Sequence, residues 1–261
     1  MQDCLNDVKK VSVLRGMDKN GMPEELEKLE IQAGSTLAVV GATGSGKSEL
    51  LSDIEQMAFQ DTGSKRRILI NDNLPATGFY DGRLVAQLSQ TMNFVMDASV
   101  ERFLHLHAES RGRKENDLVE KTLDTANTLC GEPIKPGDSL QVLSGGQSRA
   151  LMIADIALIS DAPVVLIDEI ENAGINKLQA LNVLSGSKKP IIIASHDPLL
   201  ILMAEKRVVM KNGGMRLVLE TSQQESLILE NLKKTDVLLS KITDELRNGN
   251  ALNSNLKESL I

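Results

Sequence analysis

The sequence predicts an α/β fold in which helices cover a mixed β-sheet. Three apolar runs, at 37–40, 163–167 and 190–194, have the unbroken hydrophobic character of buried parallel strands. A glycine-rich or charged motif follows each run directly, and segments with helical spacing separate the runs. In α/β sheets the chemistry usually lies at the carboxyl ends of strands, so these three motifs are the first candidates for a functional site.

The N-terminal third alternates short strands with one helix. Strands are predicted at the apolar runs 8–15, 26–32, 37–40, 67–70 and 84–88. A helix is predicted after the third of these, because apolar residues recur there at helical spacing: Leu50, Leu51, Ile54 and Met57. The segment 71–82 is rich in turn-forming residues and is predicted to be a loop.

The rest of the chain divides into a helical stretch, two strands and a hairpin. The pattern is helical from about 98 to 157, with a break at 131–137, and residues 207–219 indicate a hairpin around an Asn-Gly-Gly turn. In the tail, apolar residues step by four and three as in a heptad: Ile228, Leu232, Thr235, Leu239, Ile242 and Leu246. This pattern fits either a terminal helix folded back on the domain or a contact with a second copy or a partner.

Composition limits the possible functions. The 261 residues are 41% hydrophobic and 25% charged, as in an ordinary globular protein with one large domain. Aromatic residues make up only 2% and the formal net charge is −7, so no direct nucleic-acid partner is expected. The two cysteines form no CxxC pair, and no apolar run approaches 18 residues. We therefore expect a cytoplasmic protein, peripheral to the inner face of a membrane only through partner subunits.

A phosphate-binding loop follows the strand at 37–40. Its eight residues fit the spacing G-x-x-x-x-G-K-[ST]: Gly41, Ala42, Thr43, Gly44, Ser45, Gly46, Lys47 and Ser48. The glycines let backbone N–H groups approach a phosphate, and the following helix directs its positive end toward it. Lys47 is expected to reach the β- and γ-phosphates of a nucleotide, and the Ser48 hydroxyl to bind Mg²⁺. The sequence therefore predicts a P-loop NTPase core.

An acid pair ends the strand at 163–167. Asp168 lies where a carboxylate that holds the metal is needed, and Glu169 is a candidate for activating the attacking water. A helix-capping or surface role is the alternative for such a pair when no phosphate loop is present.

A second glycine turn, Leu143-Ser144-Gly145-Gly146-Gln147, precedes a predicted helix and so forms a second anion-binding helix end. With the phosphate loop, Gln90, the acid pair and His196 in this order, the chain resembles the ATP-binding cassette (ABC) ATPases from about residue 26 to 219. The resemblance implies an ATPase domain at 1–220 with a helical subdomain at about 91–155, and leaves a C-terminal helical extension at 221–261.

The resemblance also assigns roles in a head-to-tail homodimer that forms on ATP binding. Gln90 would touch Mg²⁺ and water, His196 would contact the γ-phosphate, and Glu169 would be the catalytic glutamate. The signature residues would bind the nucleotide of the other subunit: Ser144, Gly145, Gly146 and Gln147.

Two departures from the family pattern stand out. No aromatic residue precedes the phosphate loop to stack on adenine; Leu14 or the Arg15 guanidinium is the candidate contact, and we expect weaker discrimination between ATP and GTP. After Glu169, the family's Pro-Thr and Ser-Ala-Leu-Asp segment is replaced at 170–175, and we expect altered coupling between the two ATP sites.

The sequence thus predicts an ATP-hydrolysing motor subunit whose partner stays open. That partner is either a membrane permease or a soluble client, as in family members that serve metalloenzyme activation, cluster assembly or chromosome maintenance. A nucleotide-regulated binding module that seldom hydrolyses ATP is the alternative from a different functional class.

Overall fold

The computed structural model describes residues 8–74, 84–89, 92–113, 117–169 and 174–252. The chain divides into two compact units, Met1–Leu219 and Glu220–Ile261. The first unit contains every strand and six helices of the described residues, and it contains the candidate site. The second unit consists mainly of one long helix. The prediction of an α/β fold with a mixed sheet is confirmed.

The larger sheet has six strands in the order β5-β6-β7-β3-β8-β9. They are β3 (Thr36–Val40), β5 (Val85–Leu88), β6 (Val164–Asp168), β7 (Ile191–Ala194), β8 (Lys206–Lys211) and β9 (Gly214–Glu220). The first five strands pair in parallel, and β9 follows β8 through a two-residue connection. All four residues of β7 are buried, as expected for a central strand covered on both faces.

The smaller sheet is antiparallel and has the order β2-β1-β4. Its strands are β1 (Lys10–Leu14), β2 (Lys28–Gln32) and β4 (Arg67–Ile70). Strand β2 alternates exposed and buried residues, which is the pattern of a strand with one face on the core. Its Leu29 and Ile31 join the same apolar core as Leu50 and Ile54 of the helix that follows β3.

The helices of the first unit are α1 (Lys47–Glu55), α2 (Val100–Ser110), α3 (Leu118–Leu129), α4 (Gly145–Leu158), α5 (Lys177–Ser185) and α6 (Pro198–Met203), and a short 3-10 helix spans Leu140–Val142. Helices α5 and α6 were absent from the sequence prediction. The signal for α6 was local, because Asp197 caps its N-terminus through Leu199 N and Pro198 occupies its first turn.

Two apolar cores lie in the first unit. One packs α2, α3, α4 and α5 around residues of β5, β6 and β7, and the other packs α1 between residues of both sheets. Because β6 and β7 contribute alternate residues to both cores, their backbones are held from two sides. The carboxyl ends of these strands are therefore rigid positions for functional side chains.

The second unit is dominated by α7 (Gln223–Arg247). Ser222 begins this helix with a capping box, in which it exchanges hydrogen bonds with Glu225. Three residues of the heptad pattern, Ile228, Leu239 and Leu246, are more than half exposed in this chain. None of the helices in the described ranges combines the length and the apolar character needed to cross a membrane.

Candidate functional site

The phosphate loop connects β3 to α1 through backbone conformations that only glycine adopts easily. Gly41, Gly44 and Gly46 have φ angles of 154°, 77° and 102°. A Cβ atom on Gly41 would lie 2.6 Å from the Met210 carbonyl oxygen, and one on Gly46 would lie 2.7 Å from the Gly213 Cα. The loop thus fits against β8 and the turn that follows it only because these positions have no side chain.

Lys47 begins α1 and is buried, at 8% relative exposure. Its Nζ donates to the Gly41 carbonyl oxygen at 3.0 Å and lies 3.1 Å from His196 Nε2. His196 follows β7, and its Nε2 also lies 3.9 Å from Glu169 Oε1. The structure therefore brings Lys47, at the start of α1, together with Glu169 and His196, which follow β6 and β7. Their side chains converge beside the phosphate loop.

The sheet register explains this convergence. Strand β7 lies between β3 and β6, with Ala194 opposite Val39 on one side and opposite Asp168 on the other. The carboxyl ends of the three strands therefore lie at the same position along the strand direction. The residues that follow each strand must emerge at the same edge of the sheet.

Glu169 has a left-handed backbone conformation, with a φ of 52°. Its N–H donates to the Ala194 carbonyl oxygen at 3.0 Å, which extends the β6–β7 pairing by one residue beyond the strand. This conformation is unfavourable for a residue with a Cβ, and such strain is often found at functional sites. The left-handed turn directs the Glu169 carboxylate toward His196, and the carboxylate remains partly exposed.

Two oxygen ligands suit a divalent cation at this edge. Ser48 is the second residue of α1 and is exposed, and Asp168 ends β6 with a half-buried side chain. A hydroxyl and a carboxylate are donors that Mg²⁺ accepts, and Mg²⁺ usually completes its shell with water and phosphate oxygens. Within the described ranges, no group of three or more His, Cys, Asp or Glu side chains could hold a metal ion. The third predicted ligand, Gln90, lies outside the described residues.

The signature residues form the N-terminus of α4. Ser144 caps this helix, accepting from Gln147 N at 3.3 Å while its own N–H donates to Gln147 Oε1 at 2.9 Å. Ser144 and Gly145 are exposed. Together with Gly146, they leave the positive end of a 14-residue helix accessible to an anion.

The two candidate adenine contacts lie at the end of β1. Leu14 is half-buried and pairs with Lys28 and Arg67 on the neighbouring strands. The Arg15 side chain is exposed and lies 3.6 Å from Glu27. A residue absent from the sequence prediction, Lys19, reaches the phosphate loop instead and contacts its Gly44 carbonyl oxygen.

A buried ion cluster contacts both α1 and the Gly213 turn, which pack next to the phosphate loop. The Arg66 guanidinium is fully buried and contacts Glu24 at 2.6 Å and Asp53 of α1 at 2.8 Å. It also donates to the Gly213 carbonyl oxygen at 2.5 Å. Burial by itself lowers the pKa of Arg66, but hydrogen bonds and charge from the two carboxylates outweigh this effect and raise the pKa. No local motif marks these residues, which lie far apart in the sequence.

Comparison with known proteins shows which family the chain resembles along its length. The family model described as ABC transporter matches residues 27–172, more than half of the chain. An uncharacterized ABC transporter ATP-binding protein of Methanocaldococcus jannaschii is 48% identical over 249 residues, covering 94% of this chain and 95% of the relative. A putative multidrug export ATP-binding/permease protein of Staphylococcus aureus is 30% identical, over 77% of this chain and 35% of that protein.

Solved structures share the fold at lower identity. The cbiO1 component of the cbiONQ ABC transporter complex from Clostridium perfringens has a TM-score of 0.59 and 22% identity, covering 91% of this chain and 98% of that one. An ATP-binding cassette protein in a dimeric post-hydrolysis state, bound to ADP and phosphate, has a TM-score of 0.61 and 19% identity, with coverage of 81% and 99%.

Proposed function

The chain belongs to the ABC transporter family and is an ATP-hydrolysing, nucleotide-binding subunit of that family, and from this premise we propose which of its residues carry out the hydrolysis and what the hydrolysis drives. The observation that carries the proposal is the convergence of Lys47, His196 and Glu169 at the carboxyl edge of the six-stranded sheet. No other described part of the chain combines a phosphate loop with a carboxylate and an imidazole.

We assign the binding of the triphosphate to the loop and to α1. The backbone N–H groups of residues 41–48 bind the phosphates, and the positive end of α1 adds to the attraction. Lys47 neutralises charge on the β- and γ-phosphates, and His196 holds the γ-phosphate from β7. Glu169 accepts a proton from the attacking water, because its carboxylate is partly exposed beside His196.

We propose Mg²⁺ as the cofactor, held by the Ser48 hydroxyl, by Asp168 and by Gln90. When bound, the ion neutralises charge that develops on the β- and γ-phosphate oxygens. By holding the ion, Ser48 and Asp168 would orient the triphosphate relative to Glu169. The hydroxyl donor at the start of α1 and the carboxylate donor at the end of β6 support this assignment.

We further propose that the working unit is a head-to-tail homodimer that closes on ATP. Ser144, Gly145, Gly146 and Gln147 then bind the γ-phosphate held by the other subunit's phosphate loop. The position of these residues at the start of α4, where Ser144 and Gly145 are exposed, supports this role. So does the dimeric state of the structurally similar protein bound to ADP and phosphate.

The partner proposed for this motor is a membrane permease, which would hold the subunit at the cytoplasmic face of the membrane. A crevice of 260 Å³ opens between β5 and the helical region, and apolar side chains line much of it, among them Met92, Phe94, Phe103 and Met152. Val95 and Met96, which follow Phe94 in the sequence, are exposed, at 95% and 42%. Exposed apolar side chains around a crevice are typical of a protein–protein contact.

Two relatives favour a permease over a soluble client. The similar Staphylococcus aureus protein is an ATP-binding/permease protein, and the similar cbiO1 is part of a transporter complex. Purification from native membranes and from the soluble fraction distinguishes the two partners. Polytopic membrane proteins should co-purify with the chain, whereas soluble partners alone would favour a role in metalloenzyme activation or DNA maintenance.

The Glu169→Gln variant tests the catalytic assignment. The amide keeps the shape of the side chain but cannot accept a proton, so we expect ATP turnover to fall by about two to four orders of magnitude. The variant should also accumulate as an ATP-bound dimer in size exclusion, while wild type should be monomeric after hydrolysis. Turnover at the wild-type rate would show that Glu169 is not the base, and an inactive wild-type protein would favour a regulatory binding module.

A further inference from the structure

The outer side of the phosphate loop is bound by residues that lie outside the phosphate-loop motif. Lys19 Nζ donates to the Gly44 carbonyl oxygen at 2.7 Å. Gly213 N donates to the next carbonyl oxygen, that of Ser45, at 2.8 Å. Two consecutive peptide groups at the tip of the loop are thus held from outside. We refer to Lys19, Asn212 and Gly213 as the loop brace.

These two contacts determine where the N–H groups of the loop point. A trans peptide is planar, and its C=O and N–H bonds point in opposite directions. Because the Ser45 carbonyl points to Gly213, the Gly46 N–H must point to the inner side, where a phosphate binds. The Lys19 contact fixes the preceding peptide, whose Ser45 N–H donates to the Ala42 carbonyl oxygen at 3.0 Å.

The residues of the loop brace also form hydrogen bonds with one another and with Asp18. Lys19 N donates to the Asn212 carbonyl oxygen at 2.9 Å, and the Asn212 amide donates to Asp18 at 3.0 Å. A Cβ on Gly213, whose φ is 84°, would lie 2.7 Å from the Lys19 Cγ. The Lys19 side chain therefore lies directly over Gly213 on its way to the loop, and this turn has no room for a larger residue.

The buried Arg66 anchors the brace to the helix that follows the loop. One guanidinium binds the Gly213 carbonyl oxygen and also Asp53, which lies on α1. The loop brace and α1 flank the phosphate loop, and both are therefore bound to the same buried Arg66 guanidinium. A loop supported in this way keeps its N–H groups aligned before a nucleotide arrives, which lowers the ordering cost of binding.

We propose that Lys19 is a positioning residue for nucleotide binding, which holds the phosphate loop in its anion-binding conformation through the Gly44 carbonyl. This inference rests on the proposed role of residues 41–48 as the ATP site. Lys19 itself is exposed and contributes little to the apolar core, so its loss should change nucleotide affinity and not the stability of the fold.

The test compares Lys19→Met, Lys19→Arg and a matched control, Lys135→Met, in the full-length chain. Lys135 is also exposed, and its removal changes the net charge by the same amount. The measurements are the Kd for Mg²⁺–ADP by calorimetry, the KM and kcat for ATP, and the melting temperature. Met keeps an unbranched side chain that is one heavy atom shorter than that of Lys, and it cannot donate a hydrogen bond.

We expect Lys19→Met to weaken ADP binding about three- to tenfold, as expected for the loss of a partly exposed charged hydrogen bond. The KM for ATP should rise similarly while kcat changes little, because the loop binds the nucleotide and Glu169 performs the chemistry. Lys19→Arg should restore the affinity to within about twofold, since it still donates to the carbonyl. All variants should melt near the wild-type temperature.

Three results would overturn the role of Lys19: wild-type affinity in Lys19→Met, an equal loss in Lys135→Met, or no recovery in Lys19→Arg. Failure of the ATP-site assignment itself would give a different experimental result. Lys47→Ala should abolish ADP binding if residues 41–48 form the site, so wild-type binding by Lys47→Ala would refute that assignment directly. Loss of binding in Lys47→Ala with unchanged binding in Lys19→Met would refute the brace alone.

Discussion

At the scale of single residues, the backbone of Glu169 is held in a conformation that its side chain disfavours. Its φ of 52° belongs to the left-handed region, where a Cβ crowds the following carbonyl. The hydrogen bond from Glu169 N to the Ala194 carbonyl oxygen stabilises this turn and fixes the residue after β6 against β7. The protein thus tolerates local strain at the position where the carboxylate lies beside His196.

This strain gives a prediction for stability. Glu169→Gly removes the Cβ, whereas Glu169→Ala retains it, and both lose the carboxylate. We expect the Gly variant to be more stable than the Ala variant by about 1 kcal/mol, because glycine adopts a positive φ without crowding. Urea denaturation of the two variants measures the difference. An Ala variant at least as stable as the Gly variant would show that the turn is not strained.

At the scale of elements, α4 connects two distant parts of the first unit. It begins at the signature residues and ends at Leu158. Beyond that end, Lys189 Nζ donates to the carbonyl oxygens of Ile156 and Ser160 at 2.9 and 2.7 Å. A cation at the C-terminus of a helix interacts favourably with its unpaired carbonyls. Since Lys189 just precedes β7, this contact ties the helix to the strand that leads to His196.

The environment of Lys189 predicts a pH-dependent stability. Burial, with a contribution from the nearby Arg113 and Arg111 charges, lowers the pKa of Lys189 from 10.5 to about 8, despite the opposing influence of Asp161 and Asp155. Between these two values the unfolded chain holds a proton that the folded chain has released. The free energy of unfolding is therefore expected to rise with pH in this window, by about 3 kcal/mol in total for this residue.

The Lys189→Met variant isolates this effect. Denaturation of both proteins from pH 7.5 to 10.5 gives the free-energy difference between wild type and variant at each pH. We expect this difference to increase in favour of wild type across the range, as the buried charge is lost. A constant difference would mean that Lys189 keeps an ordinary pKa in the folded protein.

At the scale of the whole first unit, one buried ion cluster joins segments that are remote in sequence. Arg66 precedes β4, Glu24 lies between β1 and β2, and Asp53 lies on α1. The two oxygens of Glu24 accept additional hydrogen bonds from Gly16 N and Met215 N, each at 2.8 Å. A buried charge group is tolerated only when its members are paired in this way.

Removal of Arg66 should therefore destabilise the protein strongly. In Arg66→Ala both carboxylates remain buried without their cation, and we expect a loss of about 3–5 kcal/mol in the free energy of unfolding. Arg216→Ala is the control, since Arg216 pairs with Glu25 at 2.8 Å on the surface and should cost less than about 1 kcal/mol. Chemical denaturation measures both, and similar losses in the two variants would contradict the structural role of the cluster.

Much of the α/β order and of the candidate site could be predicted from the sequence because the signals are local. Three local patterns each lie within eight residues: the glycine spacing from Gly41 to Ser48, the apolar strand before Asp168 and the glycine turn from Leu143 to Gln147. Backbone conformation and hydrogen bonding act at that range. Helices α5 and α6 were missed, since they are short and mostly apolar, and periodicity distinguishes such segments poorly from strands.

By itself, the sequence determined the strand ends that carry the phosphate loop and the acid pair, and it indicated the ABC resemblance that the comparisons confirm. Only the tertiary structure decided that His196 Nε2 lies between Lys47 and Glu169, and that Lys19 holds the Gly44 carbonyl. The physical reason is the long-range order of the sheet. The pairing of β3 with β7 and the contact of the Gly213 turn with Gly46 each join residues that lie more than a hundred positions apart in the sequence. No local pattern encodes contacts of that range.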